Sequence, residues 1–173
     1  MSTLNMLVDL LEDNLKDIYS AEKQLSKALP KMAKSASSKE LKTAFQSHLE
    51  ETEGQIERLE KIAKIMDIKL SGKKCKAMEG LLEEGKEVME TEGAENLIDA
   101  ALIVAAQKVE HYEIAAYGSA KTFAERLGLG EVADLLNETL EEESACDEKL
   151  TSISTETLLD DENIISDSEE ARA

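Results

Sequence analysis

The chain has 173 residues, 42% of them apolar, with three tyrosines, two phenylalanines and no tryptophan. That length suits one domain, and a core of Leu, Ile, Val, Ala and Met favours helices over strands. A net charge of −18 argues against a nucleic-acid partner and against docking on anionic membranes, while it is compatible with attracting metal cations.

The first predicted helix covers residues 4–35, where Leu11, Leu15, Ile18, Glu22, Leu25, Leu29 and Met32 recur in steps of four and three. Pro30 sits inside it and is expected to kink or weaken its last turn. Ser35, Ser37 and Ser38 mark a turn, and Ser38 can cap the next helix. That second helix covers 39–66, with Leu41, Phe45, Leu49, Thr52, Ile56, Leu59, Ile62, Ala63 and Met66 as its wedge. A basic loop follows at 67–74. Residues 75–91 read as a short amphipathic helix broken by glycines, outside the bundle or at a subunit contact.

The third long helix covers 95–127. Its inward stripe is Ile98, Leu102, Ala106, Val109, Glu113, Ala116, Ala120, Phe123 and Leu127, and Gly128 and Gly130 supply the stop and the turn. The fourth covers 131–153, with Val132, Leu135, Leu136, Thr139, Cys146, Leu150 and Ile153 inward. Residues 1–153 therefore form one bundle domain. Residues 154–173, with seven acidic residues and one Arg, read as a flexible acidic tail. Two short connections and one long crossover suit an all-α, up-down-down-up, ferritin-like four-helix bundle with a short fifth helix in the crossover.

An internal repeat sharpens this. Residues 40–59 align without a gap on 131–150 at an offset of 91, with six of 20 positions identical. The same offset places Glu22 on Glu113 and Glu51 on Glu142. Counting from each turn at about 1.5 Å per residue puts all four at one height. Charged groups seldom occupy full burial unless paired, and four converging carboxylates repel. Divalent cations remove that repulsion, and oxygen ligands with an occasional imidazole suit Fe, Mn or Zn. The expectation is two ions per chain, held by Glu22, Glu51, Glu113 and Glu142. The bland reading is glutamates falling by chance beside the core, for which Glu51 at the wedge edge is the clearest candidate.

Several neighbours stay open. His48 lies one turn before Glu51 and is either a ligand or a histidine beside the ligands. Glu110, one turn from Glu113, supplies an extra carboxylate or is surface charge, and the same choice holds for Glu143 and Asp147. His111 points away from Glu110 and fits a surface or interface. Tyr19, Tyr112 and Tyr117 lie within two turns of the site, either packing or hydrogen-bonding a ligand. Cys75, flanked by lysines, is inert or redox-active; Cys146 is a small core residue or a soft ligand. Two cysteines make no disulfide framework. With no membrane-length apolar run and no signal-peptide pattern, the expected location is the cytoplasm.

The segments DIYSAEKQLSKALPKMA (17–33), HLEETEGQIERLE (48–60), CKAMEGLLEEG (75–85), DAALIVAAQKVEHYEIAAYGSAKTFAE (99–125) and ETLEEESACDEKL (138–150) resemble the YciF/YciE-type ferritin-like stress proteins. The resemblance covers residues 4–153. It implies a four-helix bundle with a short fifth helix, a homodimer with that helix near the contact, kinship with rubrerythrin and other di-iron proteins, and a role in bacterial stress. The chain departs from rubrerythrin in one respect. Three residues after Glu51 and Glu142 stand Gly54 and Ala145, where the di-iron pattern has His. The functional expectation is a dimetal-carboxylate protein with redox or peroxide chemistry, and the alternative is a structural dimeric bundle without catalysis.

Overall fold

A computed structural model describes residues 4–155. Five helices account for nearly all of them: α1 Leu7–Ser35, α2 Lys39–Met66, α3 Lys76–Glu90, α4 Glu95–Arg126 and α5 Gly130–Ile153. No strand occurs among the described residues. The expected tail lies outside them except for Ser154 and Thr155, and Ser154 keeps helical backbone angles.

The ends of the helices follow local chemistry. Ser38 caps α2 by accepting a hydrogen bond from Leu41 N at 3.3 Å. Asp67 closes the same helix in the left-handed region at φ 52°, which Asp tolerates better than most residues. Gly128 takes φ 72° after α4, and Leu129 N donates back to Ala124 O at 2.9 Å, satisfying a terminal carbonyl. Pro30 does not end α1, which runs on to Ser35. The glycines expected to break residues 75–91 do not: α3 is continuous through Gly80 and Gly85. Each costs about 1 kcal/mol of helix propensity, and packing of Met78, Leu81 and Leu82 against the core offsets that.

α1 packs on α2 and α4, and α5 packs on α4 and α2, so the four long helices form a closed ring; α3 lies outside, against α1 and α4. Two apolar layers fill the ring. One holds Leu25, Leu29, Leu41, Phe45, Leu102, Val109, Leu150 and Ile153. The other holds Leu11, Leu15, Ile18, Leu59, Ile62, Tyr117, Ala120, Val132 and Leu136. Each fully buried Leu or Ile stabilises the fold by roughly 1.5–3 kcal/mol. Between the layers every long helix turns polar: Glu22 on α1, His48, Thr52 and Gln55 on α2, Glu110 and Glu113 on α4, Thr139 and Glu143 on α5, all buried.

One end of the ring is tied by a buried carboxylate. Asp99, in the second turn of α4, accepts from Ser37 N at 2.8 Å and Ser38 N at 2.6 Å in the α1–α2 turn. Among the described residues no helix is long and apolar enough to cross a membrane.

Candidate metal centre

The polar layer is the place where an apolar bundle keeps its charge. On α1, Glu22 interrupts a run of Leu and Ala and is 0% exposed. Tyr117 on α4, also fully buried, donates its hydroxyl to Glu22 Oε1 at 2.5 Å. Glu113 on α4 is 0% exposed, and neither of its oxygens has a hydrogen-bond partner. One turn earlier Glu110 faces His48 of α2, with Nε2 3.2 Å from Oε1. His48 Nδ1 lies 3.5 Å from Glu51 Oε2. Neither contact has hydrogen-bond geometry, so both imidazole nitrogens stay unpartnered.

On α5 the buried carboxylate is Glu143, which accepts from Gln55 Nε2 at 2.5 Å. Its neighbour Glu142 points outward. Arg58 clamps it through two hydrogen bonds, Nη2 to Oε1 at 2.7 Å and Nη1 to Oε2 at 3.0 Å. Thus Glu22, Glu110, Glu113 and His48 are buried as expected. Glu51 and Glu142 are outward instead, with side chains 47% and 33% exposed. One residue along a helix is a rotation of about 100°, which is the difference between Glu142 and Glu143. Glu143 carries the signal in its spacing: Leu136, Thr139, Glu143 and Leu150 lie on one inward stripe. Its counterpart across the repeat is Thr52, buried on α2.

The remaining candidates separate cleanly. Cys146 is partly buried beside His48 and Glu110. Asp147 accepts from Gln107 at 3.1 Å, and exposed His111 lies 3.6 Å from it, both outside the layer. Tyr19 donates to Glu60 at the surface. Tyr112 contacts the Cys75 sulfur at 3.0 Å and donates to Asp17. Cys75 caps α3 and is fully buried; burial pushes its thiol up, the direction of an inert cysteine.

Electrostatics describe a set of groups short of positive charge. Burial raises Glu22 to about 7, against the Tyr117 hydrogen bond and the pull of His48. Burial, then repulsion from Glu22 and Glu143, holds Glu113 well above the carboxylate range. Burial and the charge of Glu110 do the same to Glu143. Glu110 goes the other way: burial pushes it up most, but His48, with Glu143 and Cys146, outweighs burial and holds it below its ordinary value. His48 is lowered by burial, the largest single influence, but Glu110, Cys146 and Glu51 together outweigh it and hold the imidazole well above the usual histidine range. Burial pushes the Cys146 thiol up to about 11.

The residues present fit a cation. Apart from Asn14 Oδ1, all the buried side-chain oxygens and nitrogens without a partner among the described residues belong to this layer. Each such group costs about 1–3 kcal/mol when it stays unsatisfied, and their concentration at one level makes that level the candidate ligand position. Ligand atoms of His48, Glu110, Glu113 and Glu143 lie within 4.8 Å of one another. Imidazole with several carboxylates suits Fe, Mn or Zn.

Comparison with known proteins agrees with the resemblance read from the segments. Residues 6–162 match the family model described as "Domain of unknown function (DUF892)". The chain is 52% identical over 151 residues to Protein YciF of Escherichia coli K12, covering 87% of this chain and 91% of that protein. The structure of the E. coli stress protein YciF superposes with a TM-score of 0.86 at 51% identity, over 88% of this chain and 96% of that one. YcfI of Rhodopseudomonas palustris, whose description proposes a structural role, gives a TM-score of 0.83 at 43% identity, over 86% and 94%.

Proposed function

The chain belongs to the DUF892 family, as a homologue of the stress protein YciF, and from that premise we propose that it is a ferritin-like dimetal-carboxylate protein, with iron as the first candidate metal, acting in a bacterial stress response. The observation that carries this reading is the concentration of unpartnered buried oxygens and nitrogens at one level of the bundle. The order in which the helices visit the two apolar layers supports the up-down-down-up arrangement. α1 and α5 pass from the Leu11 layer to the Leu29 layer, and α2 and α4 pass the opposite way.

Glu22, Glu113, Glu143, Glu110 and His48 would hold the ions. Bound divalent iron would supply one-electron chemistry toward peroxide or oxygen. The chain's own residues do the rest. Tyr117 orients Glu22, Gln55 orients Glu143, and the two apolar layers exclude bulk water from both sides. Carboxylates that hold protons when no cation is bound release them when one enters, which keeps the layer near neutral charge. Leu97 and Val104 on α4 are half exposed, seven residues apart on one face, and supply an apolar patch for the homodimer the resemblance implies.

Metal analysis tests the reading. Anaerobic loading of the purified chain with ferrous iron is expected to give two ions per chain. Fewer than about 0.2 would sink it, because buried charge needs a partner. A structural dimeric bundle is the second reading, favoured by the description of the R. palustris relative. It predicts that Glu22→Leu raises the melting temperature and that chelators leave the wild type's unchanged.

A further inference from the structure

A cleft of about 460 Å³ opens between α2 and α5. Phe45, Ala145 and Leu150 form apolar walls, and exposed Glu51 and partly exposed Glu142 stand at its rim. Its deepest residues are His48 and Glu110, 3% and 1% exposed, with Cys146 beside them. On the other side of the polar layer, Glu22 of α1 and Glu113 of α4 are both 0% exposed among the described residues.

We propose that His48, Glu110 and Cys146 form a mixed nitrogen, oxygen and sulfur site for one borderline divalent cation of the Zn²⁺ and Co²⁺ class, reached through this cleft. The site rests on the dimetal reading above and names the ligands of its cleft-side ion. One ligand atom from each residue lies within 4.8 Å of the others. A tetrahedral shell with bonds of about 2.0–2.3 Å spaces its ligands roughly 3.3–3.8 Å apart, so closure takes side-chain movements of about 1 Å. Two of the three side chains are more than nine-tenths buried and carry atoms with no hydrogen-bond partner, the nitrogens of His48 and Oε2 of Glu110, with His48 Nε2 3.2 Å from Glu110 Oε1. Cys146 is the counterpart of Gln55 across the internal repeat, and Gln55 is a fully buried member of the polar layer. Its inward position is therefore built into the helix rather than being a chance of surface packing.

The ligand set has consequences for selectivity. Carboxylates alone accept Mg²⁺ and Ca²⁺ readily, whereas a sulfur donor shifts preference toward Zn²⁺, Co²⁺ and Fe²⁺. With three protein ligands the fourth position faces the cleft, the arrangement of a site that exchanges small ligands. On binding, the Cys146 S–H bond breaks as the sulfur–metal bond forms. The proton leaves through the cleft, and no electron changes hands.

The test is a Co²⁺ titration of the metal-free full chain, read by absorption. The expected result is a sulfur-to-cobalt charge-transfer band in the near ultraviolet that saturates at one equivalent, disappears in Cys146→Ser and persists in Cys75→Ser. Ligand-field bands without the charge-transfer band overturn the sulfur ligand and leave the dimetal reading standing. A band that survives Cys146→Ser, or vanishes in Cys75→Ser, does the same. Failure of the chain to retain any cobalt on dialysis overturns both. Should Cys146→Ser not fold, zinc-edge X-ray absorption of the wild type decides: a sulfur scatterer at about 2.3 Å supports the site, and a shell of only nitrogen and oxygen overturns it.

Discussion

On the α1–α4 wall of the polar layer, Glu22 and Glu113 are sealed from solvent, and Tyr117 is buried with them. On the α2–α5 wall, Glu51 and Glu142 face outward, Arg58 ties Glu142 to Thr139, and a cleft reaches down to His48. Both walls come from the same repeated hairpin pattern, yet one is closed and the other open. A buried cation site needs both properties: a dry side where carboxylates hold charge in a low dielectric, and a wet side through which ions and protons move. Exposure separates Glu22 and Glu113 from Glu51 and Glu142, and Glu143, though on α5, is buried with the first pair.

The largest effect is expected on the closed wall. Glu113→Gln keeps the volume but removes a proposed anionic ligand whose oxygens have no hydrogen-bond partner. Loss of an outer hydrogen-bond partner costs a metal site about 10–100-fold, so loss of a ligand should weaken Co²⁺ or Fe²⁺ binding on the order of a thousandfold. Equilibrium dialysis against a chelator of known affinity measures it, and a change below tenfold would remove Glu113 from the site.

The pH dependence of the metal-free fold comes next. Glu22 is raised to about 7 in the folded chain, so it binds its proton more tightly folded than unfolded. Glu113 and Glu143 are shifted the same way. Their contribution is complete at acid pH and is lost as pH rises from the ordinary carboxylate range through the folded values. His48, held above its ordinary value, adds a loss in the same direction above about 6.5. Within the polar layer Glu110 opposes this, through a contribution lost at acid pH below the ordinary carboxylate range. The Glu22 part alone is on the order of 3 kcal/mol between pH 5 and 8. Urea melts of the chelated protein at those two values should show it, and Glu22→Gln should shrink it. Equal midpoints in the wild type would contradict a closed wall.

Tyr117→Phe should cost less, about 2 kcal/mol, because it leaves Glu22 Oε1 buried without a donor. Thermal denaturation reads the loss, and saturating divalent metal should recover part of it. The smallest effects belong to the open wall. Glu51→Gln removes a half-exposed charge and is expected within about 0.5 kcal/mol of wild type, while Glu142→Gln also loosens the Arg58 clamp and is expected to cost about 1 kcal/mol. If either weakens metal binding as much as Glu113→Gln, the contrast between the walls is wrong.

That contrast also governs how far the site is legible in the sequence. Glu22 and Glu113 each interrupt a stripe that is otherwise apolar, so helical spacing alone exposes them. The bundle is readable for the same reason, with Ser38 and Gly128 punctuating it through chemistry that carries over into the structure. α2 and α5 are harder, because glutamate occurs on every face of them. Identity across the repeat selects the pair Glu51 and Glu142, which match in type but stand partly exposed. The inward pair is Thr52 and Glu143, whose types differ, so matching residues conceals it. A rule of inward spacing before identity recovers Glu143. The α3 glycines mislead differently, because their local cost is smaller than what tertiary packing returns.

Asp99 gives the closed wall a property that does not depend on the site itself. By holding Ser37 and Ser38, it blocks axial sliding of one hairpin along the other. Glu113 lies 14 residues further along α4, about 21 Å away at 1.5 Å per residue. The height at which Glu22 meets Glu113 is thus dictated from the bundle's end, as a vernier is zeroed at its stop. A residue gained or lost in the α1–α2 turn disturbs the grip of Asp99, so the tolerance of that turn to length change is tied to a centre it never touches.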